Sequence, residues 1–397
     1  MDASATRQGQ VRVRLNSLIV IACVVAIGGC ANHRRHELVA AQPVAISDAD
    51  IAARHGIFVA TTRSPSAEAS VVFGSGRASG VNFARVDMTV PKGHQTGNIE
   101  RAKDGRPGDP AKDFTAQDVV LYPSEAAFGK AVGIDIAEHE DRVLVFVHGY
   151  NTGFDDGVYR MTQLVNDTKY PGTPVLFSWA SAAKTANYVY DNNSTTAARD
   201  DLEATLRLLA KSRAKSIDII AHSMGNWLTM ETLRQLAISG DRDLGGKLGY
   251  VVLASPDIDV DVFKKQMARY GIPDRPFAVL LSDDDRALKF SSLIAGNQAR
   301  VGDYSNAAEL ADLGVVVVDL SAIESSDRLN HAKFANNPVL VQLIGDRLSV
   351  PASLASAERR GSQPIDDLGK GVGKAVGSVA EIIITTPFKI LTLGAGQ

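Results

Sequence analysis

Apolar residues along this chain fall into short, nearly unbroken runs, separated by longer stretches in which they recur every three or four positions. The runs Val143–Val147, Val175–Ser178, Ile217–Ala221, Tyr250–Ala254, Phe277–Leu281 and Val315–Leu320 have strand length. They are apolar at consecutive positions, as strands buried on both faces must be. Between them lie amphipathic stretches. The clearest are Ala197–Lys211, with Leu202, Leu206 and Leu209 on one side, and Met224–Ile238, with Trp227, Leu228, Leu233 and Leu236. Strand and helix patterns in alternation predict an α/β fold, a mostly parallel, doubly wound sheet with helices on both faces. Upstream, Ile57–Thr61 and Val81–Val90 read as two further strands leading into the domain. Residues 91 to 113 are rich in Gly, Pro and charge and include Arg106-Pro107-Gly108-Asp109-Pro110, which predicts a surface loop. No internal repeat is visible.

The two ends depart from this pattern. Arg7, Arg12 and Arg14 precede an apolar run from Leu18 to Ile27, which is short for a membrane span and reads as a secretory signal. The run closes on Ile27-Gly28-Gly29-Cys30, which resembles the lipobox of bacterial lipoproteins. The resemblance implies removal of residues 1–29, lipidation of Cys30, and, with the small Ala31 following, an outer-membrane protein of the cell envelope facing the periplasm. Cys23, the other of the two cysteines, lies inside the segment to be removed, so the mature chain has no disulfide to draw on. Residues 30–55 are polar and Ala-rich and read as a tether. That leaves 56–349 as the folded body and 350–397 as a Gly/Ser-rich tail. In the tail Leu368, Val372, Val376 and Val379 stand at helical spacing beside Lys370 and Lys374. An amphipathic surface helix and a plain tail both fit.

Composition narrows the function. Of 397 residues 45% are apolar and 22% charged, with a formal net charge of -3. That is enough apolar material for one large core, without the basic excess that a phosphate backbone demands. Nucleic acid is not an expected partner, and no metal or other cofactor is implied.

The chemistry gathers at Ser223, in Ile219-Ile220-Ala221-His222-Ser223-Met224-Gly225, between an apolar strand and an amphipathic helix. A serine on a tight strand-to-helix turn needs small neighbours two residues either side, here Ala221 and Gly225. The turn aims the amide of Met224 at a developing oxyanion. Strand Val143–Val147 runs into His148-Gly149-Tyr150-Asn151, from which the amide of Tyr150 or Asn151 would supply a second donor.

A serine hydroxyl needs a base. His33, His36 and His55 lie in or beside the tether, His94 and His139 precede the sheet core, His148 ends a strand, and His222 adjoins the serine. His331, in Leu329-Asn330-His331-Ala332 after the last strand, remains. The acid should fall between the two. Asp283, Asp284 and Asp285 follow strand Phe277–Leu281 and compete for the role, with Asp257 and Asp259 as weaker alternatives. Trp179, Tyr188 and Tyr190 are candidate walls of an acyl pocket.

Over residues 57 to 348 the chain resembles a bacterial α/β-hydrolase family of uncharacterised, esterase-like proteins. The resemblance rests on Ala60-Thr61-Thr62-Arg63, Val90-Pro91 with His94 and Gly97, Phe146 to Asn151, Phe177-Ser178-Trp179, Tyr190-Asp191, Ala221 to Gly225, Ser282 with Asp285-Arg286-Ala287-Leu288, and Asn330-His331. It departs from the family pattern at Ala221, where the elbow usually has glycine. It implies the α/β-hydrolase fold, a Ser223–Asp285–His331 triad, and hydrolysis of small-molecule acyl esters, with no settled substrate. The rival expectation is an inactive hydrolase-fold lipoprotein that binds a partner.

Overall fold

The computed structural model describes residues 37–38, 47–102, 107–325, 327–349, 382–387 and 390–393. Cys30 and the helical pattern of residues 368–379 lie outside them. One 11-stranded sheet runs through the described residues in the order β11-β10-β9-β8-β7-β6-β4-β5-β1-β2-β3. Its strands are β1 (Ile51–Pro65), β2 (Phe73–Pro91), β3 (Thr115–Tyr122), β4 (Arg142–Val147), β5 (Thr173–Ser178), β6 (Ser216–His222), β7 (Leu248–Ala254), β8 (Ala278–Leu281), β9 (Val316–Asp319), β10 (Ile382–Thr385) and β11 (Ile390–Leu393). From β1 through β9 the pairing is parallel, with β2 and β3 antiparallel at one edge and β10 and β11 antiparallel at the other.

The helices are α1 (Glu125–Glu138), α2 (Phe154–Thr168), α3 (Tyr188–Ala197), α4 (Arg199–Lys211), α5 (Met224–Ile238), α6 (Val260–Tyr270), α7 (Arg286–Ile294), α8 (Ala307–Ala311), α9 (Lys333–Asn336) and α10 (Pro338–Leu348). Because side chains of a strand alternate between faces, β4 sends Val143, Val145 and Val147 into one core with α1, α4, α5 and α6. Its Leu144 and Phe146 enter a second core with α2 and α10. This is the doubly wound arrangement that the unbroken apolar runs predict. Leu202, Leu206 and Leu209 of α4 are buried as their spacing requires, and truncating one such leucine to alanine costs about 2–5 kcal/mol.

Four features differ from the sequence expectations. Residues 51–55, assigned to the tether, belong to β1 and pair with β2, Ile51 opposite Pro91 and His55 opposite Met88. Their mixed polarity is that of a strand only half covered. β3 was not foreseen because Gln117 and Asp118 interrupt its apolar run. The body does not close at residue 349, since β10 pairs with β9 and β11 with β10. The glycines and serines that fill the tail obscure the short Ile382-Ile383-Ile384 run. The expected helix from Ala197 starts at Arg199, after a break at Ala198.

Sheet order reverses around β4, which lies between β5 and β6. Loops leaving the carboxyl ends of strands on either side of such a reversal diverge and leave a crevice. Ser223 follows β6 and Gly149 follows β4, so both border it.

Candidate active site

Ser223 has φ 53° and ψ -124°, a backbone conformation that costs a non-glycine residue on the order of 1–3 kcal/mol and persists only where its surroundings enforce it. They do so on both sides. The Ser223 amide donates to Ala254 O at 3.0 Å. The Asn226 side-chain amide donates to Ser223 O at 3.0 Å and Ala254 O at 2.8 Å, tying the turn to β7. A Cβ on Gly225 would lie 2.4 Å from His148 O and 2.6 Å from Val147 O, so glycine is required for α5 to start this close to β4. Ala221, fully buried and registered between Val147 and Leu253, leaves room for its methyl group.

His331 Nδ1 donates to Asp285 Oδ2 at 2.7 Å, the tautomer that leaves Nε2 free to accept a proton. Asp285 is wholly buried, and its Oδ1 accepts from the Ala287 and Leu288 amides, each at 3.0 Å, as the N-cap of α7. The helix start therefore fixes the carboxylate in place. Burial pulls the His331 pKa down, but Asp285, with Asp257 and Asp327 adding to it, outweighs burial and the net shift is upward. The His331 backbone is held by its amide to Asp327 Oδ2 at 2.8 Å and by its carbonyl, which accepts from His222 Nε2 and Ser255 Oγ, both at 3.1 Å. His222 stands beside it, ring centroids 4.7 Å apart. Burial, and then the neighbouring His331, keep its pKa well below the ordinary value. The Ser223 hydroxyl has no hydrogen-bond partner among the described residues.

Among the other acid candidates, the carboxylates of Asp284, Asp257 and Asp259 are engaged elsewhere. Asp284 pairs with Lys333 at 2.7 Å, and Asp283 uses its amide to reach Ser321 Oγ at 3.0 Å. Asp257 accepts from Ser291 Oγ at 2.5 Å and Tyr188 OH at 3.0 Å, and Arg300 Nε lies 3.3 Å away. Asp259 caps α6 through the Asp261 and Val262 amides.

On the β4 side, a Cβ on Gly149 would lie 2.8 Å from the Ser223 Cβ, so the glycine lets this backbone reach the serine. Among the described residues the amides of Met224 and Tyr150 have no acceptor. Asn151 is different. Its amide donates to Asp191 Oδ2 at 3.1 Å, which removes it from the oxyanion donors that the sequence proposes. Asp191 also accepts from Ser181 Oγ at 2.6 Å and the Ala182 amide at 2.7 Å. Arg63 completes the support, donating to Thr152 O at 2.7 Å, Ser181 O at 2.8 Å and Ser178 Oγ at 2.9 Å. Burial lowers its pKa to about 10. His148 is stacked on Trp179, ring centroids 4.9 Å apart, while Trp179 Nε1 donates to His148 O at 2.7 Å. Burial brings the His148 pKa to about 3, so its ring stays neutral. Trp179 is thus committed behind the loop. Tyr190 donates to Ser75 O at 3.0 Å, while Tyr188 meets Tyr150 edge-on at 5.4 Å and borders the site.

A family described as alpha/beta hydrolase of unknown function (DUF900) matches residues 124–347. The chain belongs to this α/β-hydrolase family. Among solved structures, an esterase of Pyrobaculum calidifontis in a monoclinic form is similar at 13% identity and TM-score 0.35, over 70% of this chain and 82% of that one. A second structure, titled a hyperthermophilic esterase from the same archaeon, gives 13% identity and TM-score 0.34, over 70% and 80%. A structure from work on two fungal esterases of Rhizomucor miehei gives 11% and 0.33, over 68% and 81%. None of the three bears on the substrate of this hydrolase. No curated protein matches the sequence.

Proposed function

We propose that this α/β-hydrolase cleaves carboxylic esters of small acyl substrates through a covalent acyl-enzyme. Ser223 Oγ attacks the ester carbonyl while His331 Nε2 takes its proton. The amides of Met224 and Tyr150 hold the oxyanion as the carbonyl becomes tetrahedral. His331 then hands the proton to the departing alcohol, and in the second half it activates water to release the acid and free serine. Asp285 keeps the imidazole in the required tautomer and stabilises its cation.

One observation carries the reading above the rest: the 2.7 Å His331–Asp285 pair, beside a serine held at positive φ. Neither a plain N-cap nor a binding scaffold needs both. Substrate binding must close the Ser223–His331 hydrogen bond, as catalytic contacts in empty sites commonly tighten only with ligand. The test is a panel of p-nitrophenyl esters of graded acyl length. Hydrolysis by the wild type that vanishes in Ser223→Ala, with melting temperature unchanged, is the expected result. A panel that the wild type never cleaves favours the inactive scaffold.

From the sequence alone we also propose that Cys30 is lipidated and that the segment following it tethers the domain to the outer membrane.

A further inference from the structure

We propose that Asp284 and Lys333 form a neutral clamp that positions His331 by locking the loop after β8 to the loop after β9. The inference rests on the reading of His331 as the base, and it adds positioning residues that the reaction scheme does not contain.

Neighbouring residues of one loop grip neighbouring residues of the other. Asp285 takes His331, while Asp284, one residue earlier, takes Asn330 and Lys333, one residue before and two after. Lys333 is 1% exposed. Its ammonium donates to Asp284 Oδ1 at 2.7 Å, Ser282 Oγ at 2.9 Å and Leu320 O at 3.0 Å, with Ser321 O at 3.4 Å. The second Asp284 oxygen receives Asn330 Nδ2 at 2.8 Å, and the Ser282 hydroxyl also donates to Asp284. An ammonium taken this far out of water carries a desolvation cost of several kcal/mol, and a pair of this kind adds little net stability over an apolar filling. What it supplies here is geometry: two loops without regular structure, one bearing the acid and the other the base, are held in one register.

Neutrality matters as much as geometry. His331 faces Asp285 at the start of α7, Asp257 after β7, Asp327 in its own loop and His222 at the end of β6, with Arg160 of α2 acting on His222. While Asp284 and Lys333 cancel one another, Asp285 dominates that set. Removing one partner leaves the other charge behind, and the two removals act on His331 in opposite senses.

The experiment follows His331 itself, by NMR of histidine labelled with ¹³C at Cε1, alongside ester kinetics. Asp284→Asn leaves the ammonium, so His331 should titrate at lower pH than in wild type. Lys333→Met leaves the carboxylate, so it should titrate at higher pH. The double variant should return close to wild type. Both single variants should lower kcat roughly tenfold or more with KM within about threefold, since the loss falls on the reacting geometry rather than on binding. Asn330→Gly tolerates the φ of 56° at that position and removes one prong without leaving a charge. It should lower kcat with no change in titration.

Asp284→Asn and Asn330→Gly alter side chains that are only half buried, so they decide the matter even if Lys333→Met does not fold. Unchanged titration and unchanged kcat in an active enzyme overturn the clamp and leave the reaction standing. Shifts of the expected sign in a protein without esterase activity leave the clamp standing and overturn the reaction.

Discussion

At the residue scale, the residues on which the proposed chemistry calls can be named from the sequence, whereas most of those that hold them in place cannot. A nucleophile needs a tight turn with small flanks, and a base and acid must follow in chain order, so Ser223, His331 and a run of three aspartates could be named. Choosing Asp285 among them rests on the family resemblance; in the structure it lies 2.7 Å from His331. Asn226, Asp191, Arg63 and Lys333 act through hydrogen bonds to partners that folding brings close; Arg63 and Asp191 stand in motifs of the family resemblance, but nothing local in the sequence says what they hold. His331→Ala should lower kcat about 10³-fold or more. If His331 is the base, the rate requires it neutral, and its pKa lies above the ordinary 6.5 because Asp285, with Asp257 and Asp327, outweighs burial. The acidic limb of kcat/KM should therefore have its midpoint above pH 6.5. In Asp285→Asn burial acts unopposed by that charge, so the midpoint should fall, along with a large loss of kcat. A limb that stays in place would separate Asp285 from the base.

At the element scale, strands buried on both faces announced themselves, whereas edge strands did not. Val143–Val147 and Ile217–Ala221 are apolar at successive positions and were placed within a residue or two of β4 and β6. In Thr115–Tyr122 the polar Gln117 and Asp118 interrupt the apolar run, and the apolar Val120 and Leu121 that follow stand exposed at the sheet edge, so the pattern does not separate it from a loop. Two elements carry the site and can be tested apart. At the elbow, Gly225→Ala would drive a methyl group into the carbonyls of Val147 and His148 and should destabilise the fold by about 1–3 kcal/mol, read as a lower denaturant midpoint. At the oxyanion loop, Asp191→Ala frees the Asn151 amide and the Ser181 hydroxyl, so the loop bearing Tyr150 loses its brace. There kcat should drop roughly tenfold or more, short of the 10²–10³-fold typical of losing a donor outright, with KM little changed.

At the scale of the whole molecule, the sheet reaches further along the chain than hydropathy suggested, because β10 covers β9. Ending the chain at Ser349 would uncover that edge together with the apolar side chains of Val316 and Leu320, and should lower the melting temperature and promote aggregation. At the other end, Cys30→Ser should block processing and leave a longer precursor. A wild-type protein that never incorporates an alkyne fatty acid, and is released soluble into the periplasm, would refute the anchor. The claim on which the rest depends is that Ser223 is a nucleophile activated by His331. Its most direct test is to treat the folded protein with a fluorophosphonate and map the adduct by mass spectrometry of its peptides. The account predicts one phosphonylated residue, Ser223, with labelling lost in Ser223→Ala and strongly slowed in His331→Ala. An adduct on another residue, or none in a folded wild-type protein, would contradict it.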